Sequence, residues 1–245
     1  MTLHTSLRTL AAVAWLALAA SAPAGAQEAP ADPALERCAG DTGARLRFLE
    51  ARLAGDRRYA DLWWKGWTGV FVGGIVVQGA RAGFEGDEGQ RADLIVSAAK
   101  SGIGLARSLW SPPPARMGAA ELAEMPTATP ADCAERLARA EQILRRNAAD
   151  GASERRSWIP HAANLGLNLA GALIVAEGFD EKDGWVSGAI GFAVGEGRIW
   201  SYPWQAGNAL AEYEQRFPAS GVPRTPPVTW HFESWGAGAR VSLRY

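Results

Sequence analysis

The middle of this chain is written twice, and that repetition restricts its fold more than any other feature. Cys38-Ala39 stands 25 residues before Trp63, which stands 20 before Gly83-Phe84-Glu85; Cys133-Ala134, Trp158 and Gly178-Phe179-Asp180 recur at the same two intervals. Each copy then reaches a Trp-Ser-x-Pro ending, Leu109-Trp110-Ser111-Pro112-Pro113 in the first and Ile199-Trp200-Ser201-Tyr202-Pro203 in the second, and Leu-Ala-Glu closes both at 122–124 and 210–212. Few residues between these landmarks match, so spacing carries the repeat. A duplicated unit of this size is marginal alone, which favours one fused core in which the copies meet about a pseudo-twofold axis.

Helix signals run through both copies. Asp32-Pro33 and Thr129-Pro130 each set a capping side chain before a proline, which suits the first helical position because its missing N–H has no partner there anyway. First helices over about 33–54 and 130–149 follow, with Cys133, Leu137, Ala140 and Leu144 on one face of the second and Cys38, Leu46, Leu49 and Leu53, less regularly spaced, on one face of the first. The second helices, about 60–82 and 156–177, differ in kind: neither 66–80 nor 162–176 holds a charge, so both are apolar almost all round. Gly83 and Gly178 stop them before the acidic turns at 85–88 and 180–184. Third helices over about 91–110 and 184–200 return antiparallel, and short fourth helices over about 114–125 and 204–216 complete each copy. The fold expected is all-α: a tandem duplication of a four-helix unit, about eight helices, fused as one pseudo-twofold bundle.

The ends read differently. Residues 1–26 form a secretory signal, with Arg8 in the charged start, an apolar run from Leu10 through Ala20, and small residues before Gln27. The expected division is therefore signal 1–26, repeat one 27–126, repeat two 127–217, and a tail 218–245. In the tail, prolines make a connector, then Val228, Trp230 and Phe232 and later Val241, Leu243 and Tyr245 alternate with polar or small residues around Gly236-Ala237-Gly238. That is a short β-hairpin. Its terminal aromatic resembles the closing strand of bacterial outer-membrane barrels, although one hairpin cannot close a barrel.

Export makes a disulfide permissible, and the only two cysteines, Cys38 and Cys133, occupy matching places in the copies. A bond between them would stabilise the fold by about 4–5 kcal/mol in the chain-entropy model. Removal of the signal leaves 24 basic against 26 acidic residues. Such a balance, without a basic stripe, excludes the electrostatic footprint of a nucleic-acid binder.

Gly66, Gly69 and Gly73 share one helical face, and the positions 95 residues on are His161, Asn164 and Asn168. If the two second helices cross near the axis, the absent side chains of one leave room for the amides and imidazole of the other. Tryptophan marks one end: Trp63, Trp64, Trp67 and Trp158 begin second helices while Trp110 and Trp200 end third helices, and Trp204 follows, a layer like an interfacial belt. Membrane spans are weighed against uncharged runs of only 15 residues, and against Lys65, Gln78, Arg81, Lys100 and Arg107 inside the required windows. A cleaved signal would also leave the basic tryptophan end outside the cytoplasm, contrary to the usual charge bias. These points favour a soluble or peripheral position over an integral one.

No nucleophile elbow, phosphate-cradling loop, or metal-ligand spacing occurs, and no cofactor or metal is expected. Antiparallel pairing of the second and third helices of copy two sets His161 within a turn of Glu196, a carboxylate interrupting an apolar run; the pair, with Asn164, is the best catalytic candidate and more simply a buried polar pair that fixes register. At the same end Lys65 and Arg107 meet, joined by Arg156 and Arg198, a cluster suited to a membrane lipid headgroup or another anion. The expectation is an exported helical protein of the periplasm or cell envelope, associated with a membrane and acting by binding or scaffolding rather than catalysis, its protein partner not legible. Four short spans, or a hydrolase built on His161 and Glu196, are the rivals.

Overall fold

Local capping chemistry sets the helix starts. Thr129 Oγ1 accepts from the Asp132 amide at 3.1 Å while the Thr129 amide donates to Asp132 Oδ2 at 2.9 Å, a closed capping box with Pro130 behind it. Asp87 Oδ1 accepts from the Gln90 amide at 2.9 Å, and Ser157 Oγ from the Ile159 amide at 3.2 Å. In a computed structural model the chain folds into seven helices among the described residues: α1 Gly40–Phe84, α2 Glu88–Trp110, α3 Ala115–Ala123, α4 Pro130–Arg156, α5 Trp158–Gly178, α6 Glu181–Trp200 and α7 Gln205–Arg216. The structure describes residues 38–179 and 181–218, Glu181 by its backbone alone, and beyond them only the backbone pairing of Thr229–Trp235 with Gly238–Arg244. The expected signal segment, residues 27–37, Asp180, and the connector and side chains of the expected tail hairpin lie outside the described residues.

Boundaries differ from expectation in the first helices: Cys38 and Ala39, expected within the first helix, precede its start at Gly40, the helix expected over 130–149 runs on to Arg156, and the first two expected helices are joined. The separate helices expected over 33–54 and 60–82 are a single helix of 45 residues, α1, whereas the matching stretch of the second half breaks between α4 and α5. Pro160 explains the break: it cannot donate to a carbonyl one turn back, and its ring opposes a continuous helix through Arg156. Lys65 stands at the corresponding place in α1 and imposes no such stop. The fused helix is the reason for seven helices rather than about eight.

α1 is a spine of about 68 Å at 1.5 Å per residue, and two differently built layers share it. Its first half packs with α3, α4 and α7 around Leu46, Leu49, Leu53, Leu122, Ala140, Ile143, Leu144 and Tyr213, all buried. Cys38 and Cys133 are disulfide-bonded at the far end of this head, their Cα atoms 5.8 Å apart. Arg136, itself buried, closes onto Glu50 at 2.7 Å. Its second half pairs with α2, and α5 pairs with α6, to make a four-helix bundle continuous with the head.

The bundle overturns the expected meeting of glycine and polar stripes. Gly66, Gly69 and Gly73 face outward, where an added Cβ would meet nothing within 4 Å. α2 is the helix of the first half that packs on both α5 and α6. The polar stripe finds its glycines inside its own half instead. A Cβ at Gly195 would fall 1.9 Å from Asn164 Oδ1, and one at Gly191 would fall 2.0 Å from Asn168 Oδ1. Gly184 and Gly188 likewise admit the backbone and side chain of Ala172 and the backbone of Ala176. Spaced four, three and four apart, these glycines form the close-approach face of α6.

Candidate functional site

Head and bundle join at a polar and aromatic girdle. Ser201, from the second Trp-Ser-x-Pro segment, is its hub: Trp63 Nε1 and Trp67 Nε1 both donate to Ser201 Oγ, at 3.0 and 3.1 Å, and Tyr59 donates to the Ser201 carbonyl at 2.9 Å. Trp63 is only 2% exposed and packs edge-on against Tyr202, so these indoles are core rather than belt. Tyr202 in turn donates to Asp150 Oδ2 at 2.6 Å. Burial pushes the Tyr202 phenol up, with Asp150 adding to it, and burial likewise raises the Asp150 carboxyl.

Trp64 is half-buried and donates through Nε1 to the Ser108 carbonyl at 2.8 Å, whereas the other four tryptophans of the expected layer lie outside. Trp110 is 92% and Trp158 75% exposed, with Trp200 and Trp204 exposed beside them. The expected layer thus divides into a buried pair, the half-buried Trp64 and an exposed set of four.

His161 and Glu196 come together as antiparallel pairing predicts, with His161 Nδ1 2.8 Å from Glu196 Oε2. Asn164 Nδ2 donates to Glu196 Oε1 at 3.0 Å, and Trp200 Nε1 donates to Glu196 Oε2 at 3.1 Å. The second imidazole nitrogen lies 3.2 Å from the Arg155 carbonyl, so both are engaged. From there a polar line descends the bundle: Asn168 Nδ2 donates to Asn164 Oδ1 at 2.9 Å, and the Lys100 side chain enters between Gly171 and Gly191. Ser97 Oγ and Ser187 Oγ are 3.1 Å apart between α2 and α6.

The four expected cations do not gather around an open anion site. Arg107 and Arg198 both close on Glu154, at 2.7 and 3.1 Å, so the chain supplies the anion itself. Lys65 and Arg156 are exposed and make no ion pair among the described residues. Glu154 escaped sequence reasoning because its partners come from two other helices, and Ser201 because only folding brings two indoles to one hydroxyl.

Asp56 was also unforeseen. It continues the Leu49, Leu53, Ala60 face of α1, is 5% exposed, and has one carboxylate oxygen without a hydrogen-bond partner. Burial pushes its carboxyl up to about 7, against a downward pull from Arg52. The signal was present in the sequence as an acid at a core spacing.

Among the described residues no group of three metal-ligating side chains comes together. Comparison with protein-family models, with curated proteins and with solved structures finds no match.

Proposed function

We propose that this is an exported, non-catalytic envelope protein that seats its apolar four-helix bundle in a lipid bilayer and holds its disulfide-bonded head in water beside it. The observation that carries this reading is the inverted build of the bundle. Val76, Val77, Ile95, Ile103, Leu165, Leu169, Leu173, Ile174 and Val186 are exposed, while Ser97, Lys100, Ser101, Asn164, Asn168 and Ser187 are turned toward other helices. Water would reward the opposite arrangement, and a patch of this extent marks a surface meant to be covered. The head has the ordinary arrangement, with leucines inside.

Dimensions support the same reading. α5 has 21 residues, about 31 Å of helix, against a hydrocarbon core of about 30 Å. Among the described residues it is the one helix long and apolar enough to cross a membrane by composition alone. In the helices that accompany it, Ser97, Lys100, Ser101 and Ser187 face other helices, which lowers mean hydropathy without setting those groups against lipid, while the exposed charges Arg81, Arg91 and Lys182 lie toward the helix ends. Exposed Trp110, Trp158, Trp200 and Trp204 then lie where interfacial indoles are stable. The bonded cysteines suit an oxidising compartment on the head's side.

The matched order of helices in the two halves supports descent from one duplicated unit, α1 with α3 corresponding to α4 with α7, and α1 with α2 to α5 with α6. A hydrolytic role for His161 and Glu196 is disfavoured because each already holds its hydrogen-bond partners. Washing isolated membranes with alkaline carbonate tests the seating: the full chain is expected to stay in the pellet, and its release into the supernatant would contradict an embedded bundle.

A further inference from the structure

At the tryptophan girdle the carboxylates are taken and some cations are left over. Glu154 holds Arg107 and Arg198, Asp61 holds Arg116, Glu196 faces His161, and Asp150 receives Tyr202. Arg155 makes no ion pair among the described residues, and its buried Nε has no hydrogen-bond partner. Two exposed indoles fix it: its guanidinium carbon lies 5.8 Å from the Trp200 ring centre and 5.3 Å from that of Trp204. Arg156 beside it is exposed, as is Lys65 in α1.

The geometry points to a headgroup site for anionic phospholipid at Arg155, lined by Trp200 and Trp204, with its chain neighbour Arg156 adding positive charge. This rests on the embedded-bundle reading and extends it to the kind of lipid selected. Cation–π contact with both rings sets the guanidinium beside the exposed indoles, at the depth where phosphates of a bilayer would lie, with its terminal amino groups unpaired among the described residues. A soluble phosphate would leave the indoles wet; a lipid covers them with its glycerol and upper acyl carbons. The surplus charge favours an anionic headgroup over a zwitterionic one.

The test is flotation of the full chain with vesicles of phosphatidylcholine alone, and with vesicles containing phosphatidylglycerol. Binding to both is expected, tighter to the anionic vesicles by about tenfold or more, with the difference shrinking as salt is raised. Arg155→Gln with Arg156→Gln removes the preference but keeps binding to phosphatidylcholine, which also shows that the variant folds and inserts. Arg155→Lys, which keeps the charge and weakens the stacking and the bidentate contact, retains part of the preference. Millimolar inorganic phosphate leaves the preference intact. Equal binding of the native chain to the two vesicles, or abolition of the preference by inorganic phosphate, overturns the headgroup site. Failure to float with either vesicle overturns the embedded reading instead.

Discussion

Ser201 shows how much of the junction depends on one hydroxyl. It accepts from two indoles that are 2% and 7% exposed, and those N–H groups have no water to turn to. Ser201→Ala leaves both donors unsatisfied, and a loss of about 2–4 kcal/mol in unfolding free energy is expected in detergent micelles. Asp56 gives a second test at this scale. Because burial raises its folded-state value to about 7, above the unfolded value of about 4, the folded chain holds the proton more tightly. Its contribution is therefore complete below about pH 4, is lost as pH rises between about 4 and 7, and stays lost above. Asp56→Asn is expected to stabilise by about 2–4 kcal/mol near pH 8 and by little near pH 4, read from thermal unfolding at the two values. An equal effect at both would show that the carboxyl titrates normally.

Elements were legible where chemistry is local and illegible where it is shared. Thr129-Pro130 announces the start of α4, and the uncharged runs announce the apolar halves of α1 and α5. The continuity of α1 was missed because a helix breaks for a reason, here Pro160, and the first half lacks that residue. The His161 and Glu196 contact followed from counting along two antiparallel helices about a known turn. The partner of the asparagine stripe did not, because glycines on α1 and on α6 offer equal room in a sequence and only packing decides between them. Gly195→Val is accordingly expected to force α5 from α6: a Cβ already falls 1.9 Å from Asn164 Oδ1, and overpacking costs about 1–3 kcal/mol or more. Gly69→Val, in open space, is expected to change stability little, and comparing the two by unfolding in micelles checks the assignment. Reduction of the Cys38–Cys133 bond, which closes a separation of 95 residues, is expected to lower stability by about 4–5 kcal/mol.

At the scale of the whole molecule, the proposed seating in a bilayer has to meet the charges that lie inside the expected spans. Of these charges, Lys100 turns into the bundle toward Gly171 and Gly191, Arg107 pairs with Glu154, Lys65 stands exposed within the tryptophan-rich stretch and Arg81 stands exposed in the last turn of α1. Lysine inside a bundle is tolerated in a bilayer where lysine facing lipid is not. The basic girdle, which ran against the usual charge bias if the head lies outside the cytoplasm, gains a physical role once headgroup phosphates are its partners. On the proposed reading, head and bundle follow the same rule of burying what the solvent rejects, and differ because the solvents would differ. Spin labels placed singly at Val77, Ile103 and Leu169, with one at Met117 on the head, test this most directly in reconstituted vesicles. The three bundle labels should collide readily with oxygen and rarely with a water-soluble nickel chelate, and the head label the reverse; nickel reaching all four alike would contradict a bundle solvated by lipid.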